Sequence, residues 1–564
     1  MKRNHAAAVR RLGGAASALL VALLVLSGCN QVYRGFARFQ LVNHTPYNIT
    51  FYAVARTKGL VEKAENRLSA PLAPNSAADA DVALPGKFWL RAVADVNGTP
   101  VEKIEGPVEI LDGNVAWSWH MADGQIQAGT GPEDVYAATN LPAVVIDTNG
   151  GEIVDDPKIL SAMHVAYDPE GGLNKPLGSP TDYVGPAGIE LRGNSSQTFP
   201  EKSFGVETWD EASEGADVEL LGFPEEEDWV FYAPWMDRSL VRNVLGYSLW
   251  GQLGNYSPRT RYVDLYLNTT DEENPARAYQ GVYVLTEKVK RDKNRVNIKK
   301  LDPEDIGEDK ISGGYILEMK APDQLDLGAK SIDIAGDFVL AIEEPSPEDI
   351  PAEQEAWITD YIVDFEAALF GPDFANPETG YAAYIDVDNF VDFILFQDFL
   401  KNRDAFRSSM WFYKDRDKKL KLGPVWDLDI AFGYFSFNGF QNPEGWFLQS
   451  AKKDLPHSPW TDQLFKDPAF VAKYIARWKE LRGTTYKLEN IYSVIDGAVD
   501  ELATANVRNF VRWDTLGKTL LPDIRFLMFL GPHPKSWQGE IKYLKDWIGD
   551  RAAWMDAHID ELAE

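Results

Sequence analysis

One cysteine in 564 residues, Cys29, constrains this chain more than any other single feature. No disulfide can form within it, and Cys-rich zinc sites and iron–sulfur clusters are excluded, so the fold has to be held by buried apolar surface. The composition supplies that surface: 45% of residues are hydrophobic and 12% aromatic, which excludes disorder as the dominant state. The formal charge of −30 argues against wrapping nucleic acid or docking on anionic head groups, so no nucleic-acid partner is expected. A length of 564 residues allows about three domains.

The cysteine also ends a distinctive leader. Lys2, Arg3, Arg10 and Arg11 form a basic segment without acidic residues, an apolar run follows from Ala15 to Leu26, and Leu26-Ser27-Gly28-Cys29 closes it. The run is shorter than the ~20 residues that span a bilayer. The pattern resembles a bacterial lipoprotein signal peptide over residues 1–28. That resemblance implies acylation of Cys29, with the membrane as a partner through the lipid and the remaining chain extracytoplasmic in the cell envelope.

Beyond the leader, short alternating runs read as strands: Phe36–Val42, Ile49–Val54, Lys87–Val93 and Val115–Trp119. Their Pro, Gly, Asn and Asp punctuation predicts a β-rich accessory domain over 29–135, a small β-sandwich. Gly129-Thr-Gly-Pro-Glu-Asp reads as a linker. The run Leu141–Asp147 predicts a buried strand ending in a Gly-rich turn, which opens a mixed α/β region. From about Thr461 the period becomes helical. Asp467-Pro468 supplies an N-cap and a first-turn proline, and Phe470–Leu481 and Ile541–Leu562 carry helical spacing.

Several chemistries are refused. There is no G-x-S-x-G elbow, and the histidines are scattered without H-E-x-x-H spacing. Gly517-Lys518-Thr519 has the tail of a P-loop, but Arg512 stands where the leading glycine belongs.

The constellation that remains lies between Leu400 and Gly433. Protein kinases use R-D-x-x-x-x-N, with Asp as base and Asn on Mg²⁺, then a hairpin and a metal-binding Asp. Here Arg403-Asp404 precedes Ser409 at the same offset, and Met410–Tyr413 can pair with Lys419–Leu422 across a polar turn. Such a hairpin returns Asp427 beside Asp404. Asp427 and Asp429 are two residues apart, which in an extended strand puts both carboxylates on one face as a hard oxygen site for Mg²⁺. Apolar neighbours Pro424, Val425, Trp426, Ile430 and Phe432 make an uncompensated pair costly.

With these residues the chain resembles the CotH family, the spore-coat-protein-H-like atypical kinases, over roughly 140–560. The blocks that carry the resemblance are Arg192–Ser196, Pro200–Phe204, Asp228-Trp229, Asp237–Asn243, Asn268, Gly281–Glu287, Gly313–Glu318 and Pro424–Asp429. It implies an α+β, divergent two-lobed protein-kinase-like fold, with an N-terminal lobe over 140–345 and a C-terminal lobe with a helical end over 346–564. It also implies ATP as co-substrate and Mg²⁺ as cofactor, with Asp404 as base and Asp427, Asp429 and Ser409 on the metal. Lys202 is implied on the nucleotide phosphates, beside Arg192 and Ser196 of the Gly-Asn turn, where a plain β-turn followed by an exposed strand lysine is the competing reading. Glu287 and Glu318 each end a hydrophobic strand, where they can orient Lys202, meet the adenine edge or serve equally as solvated strand termini. The chain departs from the kinase pattern at Ser409, where a hydroxyl replaces the asparagine amide. Two functions stand: an envelope-anchored Mg²⁺/ATP kinase acting on a protein hydroxyl, and an inactive CotH-fold binding or assembly protein, with Ca²⁺ at the paired aspartates. ATP scarcity outside the cytoplasm favours the second; the joint presence of Lys202, Asp404, Asp427 and Asp429 favours the first.

Overall fold

A computed structural model describes residues 37–83, 86–110, 113–122, 124–270, 273–325, 328–434, 439–447, 458–518 and 534–563. Cys29 and its leader lie outside the described residues. The chain divides into two compact units, Met1–Val135 and Tyr136–Glu564.

In the first unit, β1 (Ala37–His44), β3 (Ser76–Ala83), β6 (Gly113–Ala122) and β7 (Gln125–Gly129) form one sheet in the order β3-β1-β6-β7. A second sheet contains β2 (Ile49–Ala55), β4 (Gly86–Val96) and β5 (Thr99–Ile110). Both sheets contribute to one core, Phe39, Leu41, Trp117 and Trp119 from the first and Tyr52, Phe88 and Leu90 from the second. Alternation explains the arrangement: Phe88, Leu90, Ala92 and Ala94 of β4 point inward while their neighbours do not. The segment read as a linker begins at the last residue of β7 and runs into a helical turn, Pro132–Val135.

The second unit is mixed α+β. Its first half is a closed barrel in the order β10-β11-β14-β16-β15-β8-β9. The strands are β8 (Ala143–Asp147), β9 (Ile159–Ala166), β10 (Thr181–Arg192), β11 (Ser203–Thr208), β14 (Asp228–Tyr232), β15 (Thr260–Asn268) and β16 (Tyr279–Glu287), with a side hairpin β12 (Val218–Leu220) and β13 (Phe223–Glu226). The barrel occupies the span in which a kinase-like N-terminal lobe is expected. Parallel pairing of β8 with β15, Asp264 opposite Ala143 through Asn268 opposite Asp147, closes the sheet on itself and removes its edges. Val144, Ile146, Val165, Ile189, Phe204, Val206, Phe231, Val263 and Leu285 fill the interior.

The remaining sheet has the order β18-β19-β17-β20-β21. It joins β17 (Tyr315–Lys320), β18 (Ser331–Ile334) and β19 (Phe338–Glu344) to β20 (Met410–Lys414) and β21 (Lys421–Leu422). The strands before residue 345 and those after 346 therefore share one sheet. Its core is shared by α1 (Arg242–Gly251), α2 (Ala352–Phe370), α3 (Val387–Leu400), α4 (Trp460–Leu464), α5 (Pro468–Arg482), α6 (Leu488–Glu501), α7 (Ala505–Arg512) and α8 (Trp537–His558), with α2 against β18, α3 against β21 and α7 against β16 of the barrel. Asp467 caps α5 through the Ala469 amide at 2.8 Å, with Pro468 in the first turn. Ser536 caps α8 through Gly539 at 3.1 Å. Among the described residues no helix is long and apolar enough to cross a membrane.

Candidate functional site

Helix α3 delivers the first site residue. Its buried apolar residues hold it in the core, and Lys401 (φ +48°) ends it in a left-handed turn. Asn402 Oδ1 accepts from the Asp404 amide at 3.3 Å, and the Asp404 carbonyl accepts from the Arg407 and Ser408 amides at 3.2 and 2.9 Å. Asp404 is fixed at this turn, with Arg403 Nη1 3.2 Å from its Oδ1. Ser409 (φ +53°) then turns the chain into β20.

The hairpin forms with Phe412 opposite Leu422 and Tyr413 opposite Lys421, a shorter return strand than the sequence suggested. Beyond it the chain is not a strand. Asp427 has φ +59°, a left-handed conformation that costs a non-glycine residue of order 1–3 kcal/mol, and a turn begins at Asp429. The two carboxylates meet because of this kink and not through strand alternation.

What holds the kink is α1. Asp237 ties down its first residue, with Oδ2 accepting from the Arg242 amide at 2.7 Å and Oδ1 accepting from Arg242 Nη1 at 2.6 Å. This orients Asn243, whose Oδ1 accepts from the Leu428 amide at 2.7 Å, and Arg242, whose Nε donates to the Ala431 carbonyl at 3.1 Å. The Asp427 amide donates to the Tyr247 hydroxyl at 3.4 Å. The block Asp237–Asn243 thus positions the acidic loop from a distance in sequence.

Asp404, Ser409, Asp427 and Asp429 come together. Ser409 Oγ donates to Asp427 Oδ2 at 3.3 Å, and Tyr232 at the end of β14 donates to Asp429 Oδ2 at 3.0 Å. Burial, then the Asp404 charge, push Asp427 up to about 6, against hydrogen bonds from Ser409 and Asp429 and the charge of Arg192. Asp429 is raised well above the carboxylate range by burial, then by Asp427, against the Tyr232 bond. Burial also raises Asp404, opposed by Arg403 and Arg407.

Arg192, the last residue of β10, faces this group. Its guanidinium lies 5.2 Å from the Trp426 ring centroid, and burial lowers its pKa against the charges of Glu318, Tyr247 and Glu190. It makes no hydrogen bond or ion pair among the described residues. Lys202 and Ser196 lie between β10 and β11, and among the described residues neither is hydrogen-bonded or ion-paired to the carboxylates. Lys202 Nζ donates to the Gln197 carbonyl at 2.5 Å, and Ser196 lies in a short 3-10 turn, Ser195–Thr198. Glu287 ends β16 and pairs with Arg259 at 2.5 Å, whereas Glu318, expected at a strand end, lies inside β17 and pairs with Lys320 at 3.0 Å; neither holds Lys202.

Tyr232, Tyr247 and Asn243 are parts of the site that the sequence does not single out. Tyr232 reads as one more aromatic of a buried strand, and only the block containing Asn243 carries a signal.

The family comparison decides what this loop belongs to. The sequence matches the family described as CotH kinase protein over residues 189–555, about two thirds of the chain. The chain belongs to the CotH kinase family. Among curated proteins none matches it. The CotH match begins within β10, three residues before Arg192, and takes in the whole acidic loop.

This CotH protein carries a second acidic group, and its surroundings differ from those of Asp427 and Asp429. Glu226, Glu227 and Asp228 are, among the described residues, the trio whose ligand atoms all lie within 4.8 Å of one another. Lys290 already sits 2.9, 3.4 and 2.9 Å from them, and it and Lys288 hold Asp228 at about 2. That trio is neutralised from within. Among the described residues Asp427 and Asp429 have no lysine or arginine in direct contact, and raised carboxylates of this kind fit a divalent cation. Asp404 stands outside a common 4.8 Å cluster with them.

Proposed function

We propose that this CotH protein transfers a phosphoryl group from ATP, or a related nucleotide, to a protein hydroxyl, with Mg²⁺ as cofactor. The observation that carries the reading is the half-buried pair Asp427 and Asp429, which among the described residues has no cationic contact, beside a third carboxylate and facing the guanidinium of Arg192. Asp427 and Asp429 would hold the metal, which when bound offsets phosphate charge. Arg192 supplies a planar fork for phosphate oxygens, and stacking on Trp426 fixes its plane. Lys202 can join it only by exchanging the Gln197 carbonyl for phosphate.

Asp404 serves as base. The acceptor oxygen attacks the γ-phosphorus as the bond to the β-phosphate bridging oxygen breaks, the hydroxyl proton passes to Asp404, and a nucleoside diphosphate leaves. Burial raises the basicity of Asp404, and Arg403 and Arg407 limit that rise. On this reading the barrel, which contributes Arg192, and the half containing the acidic loop act as two lobes around the nucleotide.

The test is single-turnover transfer from γ-labelled ATP to protein hydroxyls with the full chain. Label on an acceptor protein supports the reading; its absence with every nucleotide offered, in Mg²⁺, overturns it. One observation favours an inactive Ca²⁺-binding protein instead: Ser409, in place of the kinase asparagine, already donates to Asp427. Calorimetry showing Ca²⁺ binding with no nucleotide binding selects that alternative.

We further propose that Cys29 carries the lipid that anchors the chain in the bacterial envelope. Membrane fractionation of Cys29→Ala is expected to show a precursor or soluble protein; acylated Cys29→Ala at the membrane contradicts it.

A further inference from the structure

We infer that Tyr232 is a positioning residue for cation binding, acting through Asp429; this rests on the reading of Asp427 and Asp429 as the cation site. The phenol oxygen is 3.0 Å from Asp429 Oδ2, and the ring belongs to the last residue of β14, a barrel strand. Neighbouring Phe231 is fully buried and packs in the barrel core, and the strand is paired on both sides, Phe231 opposite Phe204 and opposite Leu285. The hydroxyl is therefore presented from a rigid frame to a loop that has no strand hydrogen bonds of its own.

The contact links two parts of the unit 197 residues apart in sequence. Apart from it, among the described residues the Asp429 carboxylate is hydrogen-bonded only to that of Asp427, at the start of a turn. With it, one lone pair of Oδ2 is engaged and the plane of the carboxylate is set, while the remaining lone pairs stay open to a hard cation. Donors that orient ligating carboxylates act in this manner, and their loss typically costs ~10–100-fold in metal affinity. Asp427 has the corresponding donor in Ser409, at a longer 3.3 Å.

Tyr232→Phe removes the hydroxyl and keeps the ring. The measurement is Mn²⁺ binding to the full chain by calorimetry, with thermal melting in chelator, for wild type, Tyr232→Phe, Asp429→Asn and the double variant. Tyr232→Phe is expected to weaken Mn²⁺ about 10–100-fold. In the Asp429→Asn background the same change is expected to cost nothing further, since the group it acts through has lost its charge. A ring that only supports the fold would lower the melting temperature and leave Mn²⁺ affinity unmoved. Equal affinity of wild type and Tyr232→Phe, or an undiminished loss in the Asp429→Asn background, overturns the inference while leaving the cation site standing. Absence of Mn²⁺ binding by wild type overturns the site itself and this inference with it.

Discussion

On the proposed reading Asp404 is the base, and the structure separates what its backbone does from what its side chain does. Its carbonyl and amide hold the turn, through the bonds with Arg407, Ser408 and Asn402, while its carboxylate meets the Arg403 guanidinium at 3.2 Å. The backbone therefore carries the structural role and leaves the side chain for proton transfer. Asp404→Asn keeps every one of those backbone bonds. Phosphoryl transfer is predicted to fall ~10²–10⁴-fold, with nucleotide affinity and melting temperature nearly unchanged. Single-turnover transfer, calorimetric affinity and melting of the two proteins check it; a joint loss of affinity and stability would return Asp404 to a structural role. Strain tells the same story: Ser409 and Asp427 both adopt left-handed conformations flanking the hairpin, and such outliers persist where surrounding contacts over-determine them.

Helix α1 holds the acidic loop, and one glycine on it shows how closely the two pack. A Cβ added at Gly246 would lie 2.2 Å from Leu428 Cδ1, and Leu428, fully buried, stands between Asp427 and Asp429. Gly246→Ala is predicted to destabilise the chain by about 1–3 kcal/mol, as overpacking of a filled core does, and to weaken divalent-cation binding because Leu428 cannot move without the aspartates. Denaturant unfolding and Mn²⁺ calorimetry measure both effects; unchanged cation affinity in a destabilised variant would separate the loop from α1. None of this coupling is visible in sequence, since Gly246 lies 182 residues from Leu428 and reads as an ordinary helix glycine. Local signals fared otherwise. Alternation marks β1, β2, β4 and β6, Asp467-Pro468 marks the start of α5, and the polar turn marks the hairpin of β20 and β21. Long-range closure was not legible: the parallel pairing of β8 with β15, which makes a barrel, depends on segments about 120 residues apart. The same limit applies to the kink at Asp427, where residue spacing suggests a strand and the hydrogen bonds from α1 impose a turn.

The whole chain has a pH response that follows from its buried acids. Asp427 sits at about 6, Glu318 at about 6 and Glu540 at about 7, all above the ~4 of unfolded carboxylates. Between those values the cation-free folded chain keeps protons that the unfolded chain has released, so these groups favour folding fully below pH ~4 and progressively less as pH rises toward 6 to 7. Asp228, at about 2, has the opposite sign, stabilising above ~4 and losing that contribution only as pH falls toward 2. Lys401, lowered to about 7 by burial, adds stability only as pH rises above that value. The melting temperature in chelator is therefore predicted to fall from pH 4.5 to 7, with Mg²⁺ restoring more at pH 7 than at pH 5. A chelated protein that becomes steadily more stable across that window contradicts the assignment. The central claim is that Asp427 and Asp429 form the cation site of a nucleotide-binding CotH protein, and calorimetry of ATP with the full chain, with and without Mg²⁺, in wild type and Asp427→Asn, tests it most directly. Mg²⁺-dependent binding in wild type that is lost in Asp427→Asn is the predicted result; affinity that is the same in both proteins, or indifferent to Mg²⁺, would contradict it.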